Sequence, residues 1–401
     1  MSRLQSNIIK YNYYKIFTKR VFLPLIAIFL IDQGGVTLNQ LALIASITAM
    51  VQFVMEIPSG YIADKFGHKQ SLVFGAFISA VSVLPYIFFP GFWGGLMASV
   101  IFFAGSAFTS GTLQAFMHET LLGLGRDTEY SEVMGKGQSF GLFGNIVLIS
   151  FIPLTYALHP KLPFLLGFIC LFIAFLITLS FYSPPARLTI EEAGYRAGGN
   201  NTLRTIIATM PIFRMFLVFL IFALVSSAFD FASMFREVIF RNIGIPVTFF
   251  GFILALGSLV AAIVGWYIHH LKKLTPSTFY FFDAVYLVIA YILVGILQQP
   301  ILLILAFILF PAYDRTRNII FEAQVFDEFP QSRYKATLIS IMNFMTLICS
   351  IGTPVLLGAL VTHAGLSDGY LYFGLVLAGI LLPILVLQRI VSKRSCSVQT
   401  I

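Results

Sequence analysis

The chain has 401 residues, of which 58% are apolar and only 10% carry a formal charge. Soluble domains usually carry about 25% charged residues, so this chain has too few polar side chains to cover two or three soluble domains. Intrinsic disorder is also excluded, because it requires low hydrophobicity and high net charge. The composition therefore indicates a protein that crosses a membrane many times.

Apolar stretches of roughly 20 residues, the length that crosses a bilayer as a helix, recur along the whole chain. They contain glycine and proline, which helices in lipid tolerate, and they lack the alternation of membrane β-strands. The sequence therefore predicts an all-α membrane protein with twelve transmembrane helices. Spans 1 to 12 cover residues 14–32, 38–62, 70–89, 93–119, 134–158, 162–182, 209–236, 245–270, 277–297, 300–325, 335–361 and 368–391.

The basic residues are distributed unevenly between the loops. With the N-terminus in the cytoplasm, 19 of the 25 lysines and arginines fall on the inner side, and only Lys161, Arg236 and Arg241 fall on the outer side. This bias follows the positive-inside rule and predicts a multi-pass protein of the plasma (inner) membrane with both termini cytoplasmic. The inner residues of the first segment are Arg3, Lys10, Lys15, Lys19 and Arg20. The net charge of +8 is thus a topology signal, and we expect no nucleic-acid partner.

A hydrophilic interruption at 183–208 divides the spans six and six. It begins with Ser-Pro-Pro, and we interpret it as a cytoplasmic linker between an N-terminal bundle, 1–182, and a C-terminal bundle, 209–401. The halves match weakly at an offset of about 204 residues, as duplicated bundles in secondary transporters do. The sequence therefore predicts two pseudo-symmetric six-helix bundles.

The loop after span 2 reads Gly60-Tyr-Ile-Ala-Asp64-Lys65-Phe-Gly67-His68-Lys69. It resembles the G-x-x-x-D-[RK]-x-G-[RK]-[RK] loop that the major facilitator superfamily has at this position. The preceding residues 56–60, Glu-Ile-Pro-Ser-Gly, are similar to those of bacterial drug-efflux-like members. The resemblance covers the chain and implies the family's fold and its alternating-access transport.

The same resemblance implies a cytoplasmic gate. In the family the acidic residue of this loop latches the two bundles on the inner side, and Arg126 is its candidate partner here. A short turn needs the backbone freedom of Gly67, and Gly60 lets neighbouring helices approach closely. The predicted gate residues are Gly60, Asp64, Lys65, Gly67, Lys69 and Arg126.

Polar residues recur at intervals of four on spans 4 and 10, which line the central cavity in the family together with spans 1 and 7. Such spacing places them on one helix face. A charged residue at a helix centre costs about 2.5–3.5 kcal/mol in the membrane, so the charged group of span 10 must face a cavity or partner helices. The predicted substrate-binding residues are Gln114, His118, Asp314, Arg315, Arg317, Asn318 and Glu322. Their arginines suggest an anionic or zwitterionic substrate, and the alternative is an internal Asp314–Arg317 pair that stiffens the bundle.

Two further acids are candidates for proton coupling. Asp230 lies within span 7 and Asp32 near the outer end of span 1. A carboxylate in a cavity can bind and release a proton, which is the simplest way to couple a proton gradient to substrate movement. The alternative for Asp230 is a salt bridge that never titrates. For Asp283 in span 9, away from the expected cavity, we expect a packing role.

Signatures of enzymes are missing from the sequence. His118-Glu119 begins like a metalloprotease helix, but Leu122 stands where the second histidine would be. The three cysteines lack metal-ligand spacing, and no Walker-type loop is present. We expect no catalytic residue, metal or cofactor.

The sequence as a whole predicts a monomeric secondary active transporter whose partners are a small molecule, protons and the lipid bilayer. Efflux is favoured, but span 5 lacks the Gly-Pro pair that marks drug/proton antiporters, which leaves the direction open. Two alternatives remain. One is an uptake symporter for a small metabolite or metal chelate, and the other is a non-transporting membrane sensor on the same fold.

Overall fold

The computed structural model describes residues 3–184, 212–267, 274–328 and 335–398. Within these ranges every regular element is a helix, and nine helices are long and apolar enough to cross a membrane. Three shorter apolar helices, Leu23–Gly34, Val247–Ile263 and Pro300–Asp314, coincide with predicted spans 1, 8 and 10. The prediction of an all-α membrane protein is confirmed, and the predicted span numbers are kept below.

In the first half, the spans are helices Ser6–Phe17 with Ile26–Gly34 (span 1), Leu38–Phe66 (span 2), His68–Val81 with Leu84–Phe88 (span 3), Phe92–Thr109 with Thr112–Gly123 (span 4), Tyr130–Phe151 (span 5) and Leu162–Ser180 (span 6). In the second half they are helices Ile212–Ala232 (span 7), Phe250–Tyr267 (span 8), Pro276–Ile296 (span 9), Pro300–Glu328 (span 10), Lys335–Ala364 (span 11) and Leu366–Val398 (span 12). A short helix, Arg236–Asn242, lies between spans 7 and 8.

The ends of span 2 follow from local chemistry. At its start the Thr37 hydroxyl accepts from the Gln40 backbone N–H at 3.3 Å, and the Gln40 side chain accepts from the Thr37 N–H at 2.9 Å. This reciprocal capping satisfies donors that the first helical turn leaves free. At its end Gly67 has a φ of +95°, and span 3 begins at the next residue. Glycine is therefore required at this one-residue turn, as the sequence predicts.

Span 1 differs from its predicted form. Its first helix begins at Ser6, eight residues earlier than expected, ends at Phe17, and is separated from the second by a 3-10 turn that contains Pro24. Lys15 therefore lies in the first helix, and Lys19 and Arg20 lie between that helix and the 3-10 turn. Hydropathy missed the first helix because its charged and polar residues mask the apolar face that it buries.

The chain forms two compact units. The first comprises Met1–Ala193 and Phe240–Ala255, and the second comprises Gly194–Ile239 and Leu256–Ile401. The segment 240–255 thus belongs with the first unit, although it follows span 7 in the sequence. The division into bundles 1–182 and 209–401 stays a prediction, because most of the linker 183–208 lies outside the described residues.

The first helix of span 1 packs closely on span 5. Gly137 faces the ring of Tyr11, Gly141 faces the backbone of Lys15, and Gly144 faces Ile16. Small residues permit such close approach between helices in lipid, where dispersion contacts replace the hydrophobic effect. The helix continues into a core cluster with Tyr14, Leu72, Leu113, Phe116, Met117, Leu121 and Phe181.

Gly137→Ala is expected to destabilise the protein by about 1–3 kcal/mol through overpacking. The added Cβ would lie 1.9 Å from Cε1 of Tyr11, whose side chain is only 1% exposed and has no room to move. Gly135→Ala, two residues away, is the control, since nothing lies within 4 Å of its Cβ. Thermal unfolding of the purified variants in detergent measures the difference. Equal melting temperatures for the two variants would contradict the packing described here.

The second unit holds the end of span 7 by two buried tyrosines. The Tyr291 hydroxyl of span 9 donates to the carbonyl of Ala228 at 2.7 Å, and the Tyr370 hydroxyl of span 12 donates to that of Ala232 at 2.8 Å. The last four carbonyls of a helix have no partner within it, so the bond from Tyr370 satisfies the carbonyl of Ala232, which would otherwise be unpaired in an apolar environment. The two bonds also hold the turn that carries Asp230.

Candidate functional site

Arg317 of span 10 is fully buried and is held from three spans. Its Nε and Nη2 donate to the two carboxylate oxygens of Asp283 in span 9, both at 2.7 Å. Its Nη1 donates at 3.0 Å both to Ser226 in span 7 and to the adjacent Asn318. A bidentate pair of this kind is strong and directional. It ties spans 7, 9 and 10 together, which favours the structural alternative for Arg317 over substrate binding.

Aromatic rings surround this ion pair. The Tyr313 hydroxyl donates to Asp283 at 3.0 Å, and the Arg317 guanidinium lies over the rings of Phe222 and Phe229 at 5.6 and 5.2 Å. These rings add cation–π attraction and keep water away. Asp283 is itself 0% exposed, so the packing role expected for it consists of a buried ion pair.

The other predicted residues of span 10 lie around Arg317. Asp314 has a side chain that is 20% exposed and lies 3.7 Å from Nη1 of Arg317, so it is a second, weaker acidic neighbour. Asn318 accepts a hydrogen bond from that arginine, and Glu322 is half-buried. The side chain of Arg315 lies outside the described residues.

Asp230 of span 7 is an exposed carboxylate between buried neighbours. It lies within electrostatic range of Asp314 and Arg317. In the part of the chain that the structure describes, its side chain has no hydrogen bond or ion pair. Three acids, Asp230, Asp283 and Asp314, thus lie within electrostatic range of Arg317.

The polar stripe of span 4 faces open space. Ser110, Gln114 and His118 are exposed, and His118 also contacts the edge of the Tyr130 ring at 5.5 Å between centroids. The sequence reading missed that span 4 is broken. Gly111 has a φ of +70°, so one helix ends at Thr109 and the next begins at Thr112. A glycine in the middle of an apolar stretch was the available signal for this break.

The predicted cytoplasmic gate is described in part. The Arg126 guanidinium donates to the two carboxylate oxygens of Glu129 at 2.8 and 2.6 Å, and this pairing raises the pKa of Arg126. The side chain of Asp64, its predicted partner, lies outside the described residues. Lys65 is exposed and lies 5.6 Å from the ring of Phe66.

The same loop has a contact to span 4 that the sequence reading missed. The Nδ1 of His68 lies 2.9 Å from a carboxylate oxygen of Glu119. The two residues are 51 positions apart, so only the packing of the helices reveals the contact. Lys69, next to His68, is partly buried, and Gly60 is exposed.

Asp32 forms an ion pair with Arg241 within the first unit. The two side chains are 27% and 46% exposed. They are 209 residues apart, which is why sequence spacing gave no sign of the pair. Arg241 belongs to the segment 240–255, so the pair fastens this segment to the C-terminal end of span 1.

Comparison with known proteins identifies the family. The sequence profile of the Major Facilitator Superfamily matches residues 16–354. The chain belongs to this superfamily. An uncharacterized MFS-type transporter, YxaM of Bacillus subtilis (strain 168), is 24% identical to it over 93% of this chain and 92% of that protein.

Solved structures of other transporters share the fold of this chain. The nucleoside transporter NupG aligns over 97% of this chain and 98% of its own, with a TM-score of 0.74 and 15% identity. A D-xylose-proton symporter aligns over 95% of each chain, with a TM-score of 0.64 and 13% identity. The protein is therefore a multi-pass membrane transporter and not an enzyme, with the two-bundle fold that the sequence predicts. Among the described residues, no three His, Cys, Asp or Glu side chains are grouped so as to hold a metal ion.

Proposed function

We propose that the transporter moves a small molecule by alternating access and couples this movement to protons through Asp230. The observation that carries the proposal is the exposed Asp230 carboxylate beside Asp314 and the buried Arg317. A charged carboxylate within a membrane is costly, and binding a proton removes that cost. Protonation would therefore change the charge of the second unit at the place where spans 7 and 10 meet. The likeness to a D-xylose-proton symporter is consistent with such coupling.

We also propose that the exposed polar groups of spans 4 and 10 bind the substrate. Gln114 and His118 contribute from span 4, and Asp314, Asn318 and Glu322 from span 10, together with Arg315. We now assign Arg317 a positioning role, because Asp283 and Ser226 take up its donors. The substrate remains anionic or zwitterionic in this proposal.

Separate observations support efflux and uptake as the direction of transport. The residues 56–60 are similar to those of drug-efflux-like members, and we retain efflux on this ground. Uptake by proton symport is the second candidate, favoured by the likeness to a D-xylose-proton symporter. Flux measured in liposomes with a pH gradient of either sign separates the two.

The transporter would act as a monomer in the plasma (inner) membrane with both termini in the cytoplasm.

For the cytoplasmic gate we propose that the Asp64 carboxylate forms an ion pair on the inner side of the membrane. Lys65, Lys69 and Arg126 surround this carboxylate, and Gly60 and Gly67 shape the loop. Transport in proteoliposomes tests the role of the gate: the Asp64→Asn variant should lose most of its flux while it still folds. A sensor without transport activity would tolerate the substitution.

The substrate can be found by a thermal-shift screen of the purified protein against metabolites, siderophores and drugs. A ligand that binds the folded state raises its melting temperature in proportion to saturation. Transport of each hit in proteoliposomes then tests the proposed function. A hit that stabilises the protein but moves at the same rate through protein-free liposomes would argue against transport.

We expect the Asp32–Arg241 pair to hold the segment 240–255 against span 1 during transport. Because both side chains are partly exposed, the pair is worth about 0.2–1 kcal/mol, which is at most a factor of about 5 in an equilibrium. We expect Asp32→Arg and Arg241→Asp each to change the transport rate, and the double exchange to restore it. Lys161→Asp, another outer basic position, is the control. If the effect of the double exchange equals the sum of the two single effects, the ion pair itself does not contribute to transport.

A further inference from the structure

Basic side chains lie around Tyr182, which follows the end of span 6. The Lys10 Nζ lies 4.3 Å from the centre of the Tyr182 ring, and the guanidinium carbon of Arg3 lies 5.9 Å from it. Lys69, in the first turn of span 3, is within electrostatic range of Lys10. We call Arg3, Lys10, Lys69 and Tyr182 the basic patch. It belongs to the first unit and joins the start of the chain to spans 3 and 6.

The basic patch lies where two membrane-spanning helices have their ends. The Lys10 ammonium donates to the carbonyl of Ser180, the last residue of the helix Leu162–Ser180, at 2.5 Å. That helix has 19 residues, and at about 1.5 Å per residue its length matches the roughly 30 Å of the hydrocarbon core. Lys69 is the second residue of the helix that begins span 3. Side chains at the ends of such helices lie at the membrane surface, beside the lipid headgroups.

Within the described residues, no acidic side chain forms an ion pair with Arg3, Lys10 or Lys69. The carboxylate of Glu119 comes near the patch, but it contacts His68, the neighbour of Lys69. The Ser180 carbonyl and the Tyr182 ring are neutral partners, so they leave the positive charges in place. Because like charges repel each other, an anion that binds here would stabilise the arrangement.

An exposed apolar face adjoins the basic patch. Ile9 and Tyr13 are 43% and 57% exposed and lie four residues apart, so they share one face of the first helix of span 1. Lys10 follows Ile9 directly and lies three residues before Tyr13, on the same side of the helix. Tyrosine is enriched at the level of the headgroups, where its ring is apolar and its hydroxyl reaches water. The surface thus presents cations for a headgroup and, next to them, apolar side chains for acyl chains.

We propose that the basic patch, together with Ile9 and Tyr13, binds an anionic phospholipid through its phosphodiester headgroup. An arginine binds a phosphate through two parallel hydrogen bonds, and lysines supply point charges. A soluble anion would contact the cations only and would gain nothing from the exposed apolar face, so the surface favours a lipid. In the predicted orientation this lipid belongs to the inner leaflet, where anionic lipids attract basic segments. The inference is independent of the substrate and of the direction of transport.

The test measures the melting temperature of the purified full-length protein in detergent while lipid is added at constant ionic strength. Phosphatidylglycerol is compared with phosphatidylcholine, which has the same phosphodiester but no net charge, and should stabilise the protein at a lower concentration. Arg3→Gln and Lys10→Gln should each raise the half-saturating concentration of phosphatidylglycerol about 5-fold, which corresponds to about 1 kcal/mol for one basic residue near an anionic surface. Lys136→Gln is the control, because Glu132 already pairs with this exposed lysine, and it should leave the concentration unchanged.

The proposal is overturned if phosphatidylcholine stabilises the wild type as well as phosphatidylglycerol does, since the net charge of the headgroup would then be irrelevant. It is also overturned if inorganic phosphate stabilises the protein at the same concentration, which would indicate a soluble anion. An effect of Lys136→Gln as large as that of Arg3→Gln would show a dependence on overall charge and would reject the patch. Melting temperatures without added lipid verify that the variants fold. Arg3 precedes the first helix and is exposed, so its variant tests the proposal even if Lys10→Gln is unstable.

Discussion

Asp283→Asn is expected to lower the free energy of unfolding by about 3–5 kcal/mol. The carboxylate of Asp283 receives both Nε and Nη2 of Arg317, and neither residue is exposed. Asparagine would leave a fully buried guanidinium with only the more distant carboxylate of Asp314, 3.7 Å away, as its counter-charge. Thermal unfolding in detergent measures the loss.

Two comparisons separate this effect from ordinary loss of a side chain. Asp283→Leu combined with Arg317→Met removes both charges, and exchanging a whole buried pair for apolar residues is often neutral or stabilising, so the double variant should melt close to the wild type. Asp368→Asn removes an exposed acid at the start of span 12 and should change little. If Asp283→Asn melts like Asp368→Asn, the ion pair does not hold spans 7, 9 and 10 together.

Asp230→Asn is expected to abolish accumulation driven by a pH gradient while leaving downhill exchange of substrate intact. One unit of pH is equivalent to about 1.4 kcal/mol, so a transporter that moves one proton per substrate can accumulate it about 10-fold per pH unit. Asparagine cannot carry the proton. In the variant, the substrate should therefore reach only equal concentrations inside and outside the proteoliposomes. Uptake into proteoliposomes with an imposed gradient measures the ratio, once a substrate is known.

Asp32→Asn is the matched comparison for the proton-coupling role. Asp32 was the other acid proposed for coupling, but it is paired with Arg241, so its loss should change rates and preserve accumulation. Asp230→Glu should keep coupling because it keeps a carboxylate. Accumulation that survives in Asp230→Asn would assign the proton to another group.

The helices could be predicted wherever an apolar stretch of sufficient length had no charge inside it. Span 1 shows the limit of that method, because Lys15, Lys19 and Arg20 interrupt its hydropathy. In the folded chain Tyr11 and Tyr14 bury one face of its first helix against spans 4, 5 and 6, and that packing outweighs the local charges. The break of span 4 at Gly111 was missed for a related reason, since hydropathy does not register backbone conformation.

The partners of the charged residues could not be predicted from spacing. Arg317 appeared beside Asp314 at a helical interval, yet its bidentate partner is Asp283, 34 residues away on another span. Asp32 and Arg241 are separated by 209 residues. Helical periodicity reports which residues share a face of one helix, and it contains no information on which helix lies opposite.

The sequence by itself determined the membrane environment, the helical class and the family. Each of these depends on short-range properties: apolar stretches must satisfy their backbone hydrogen bonds as helices in lipid, and the loop after span 2 has a local pattern. Only the tertiary structure decided which of the few charges are neutralised and which remain available. The energy of a charge in a medium of low dielectric depends on its distance to every other charge, and those distances exist only once the helices have packed.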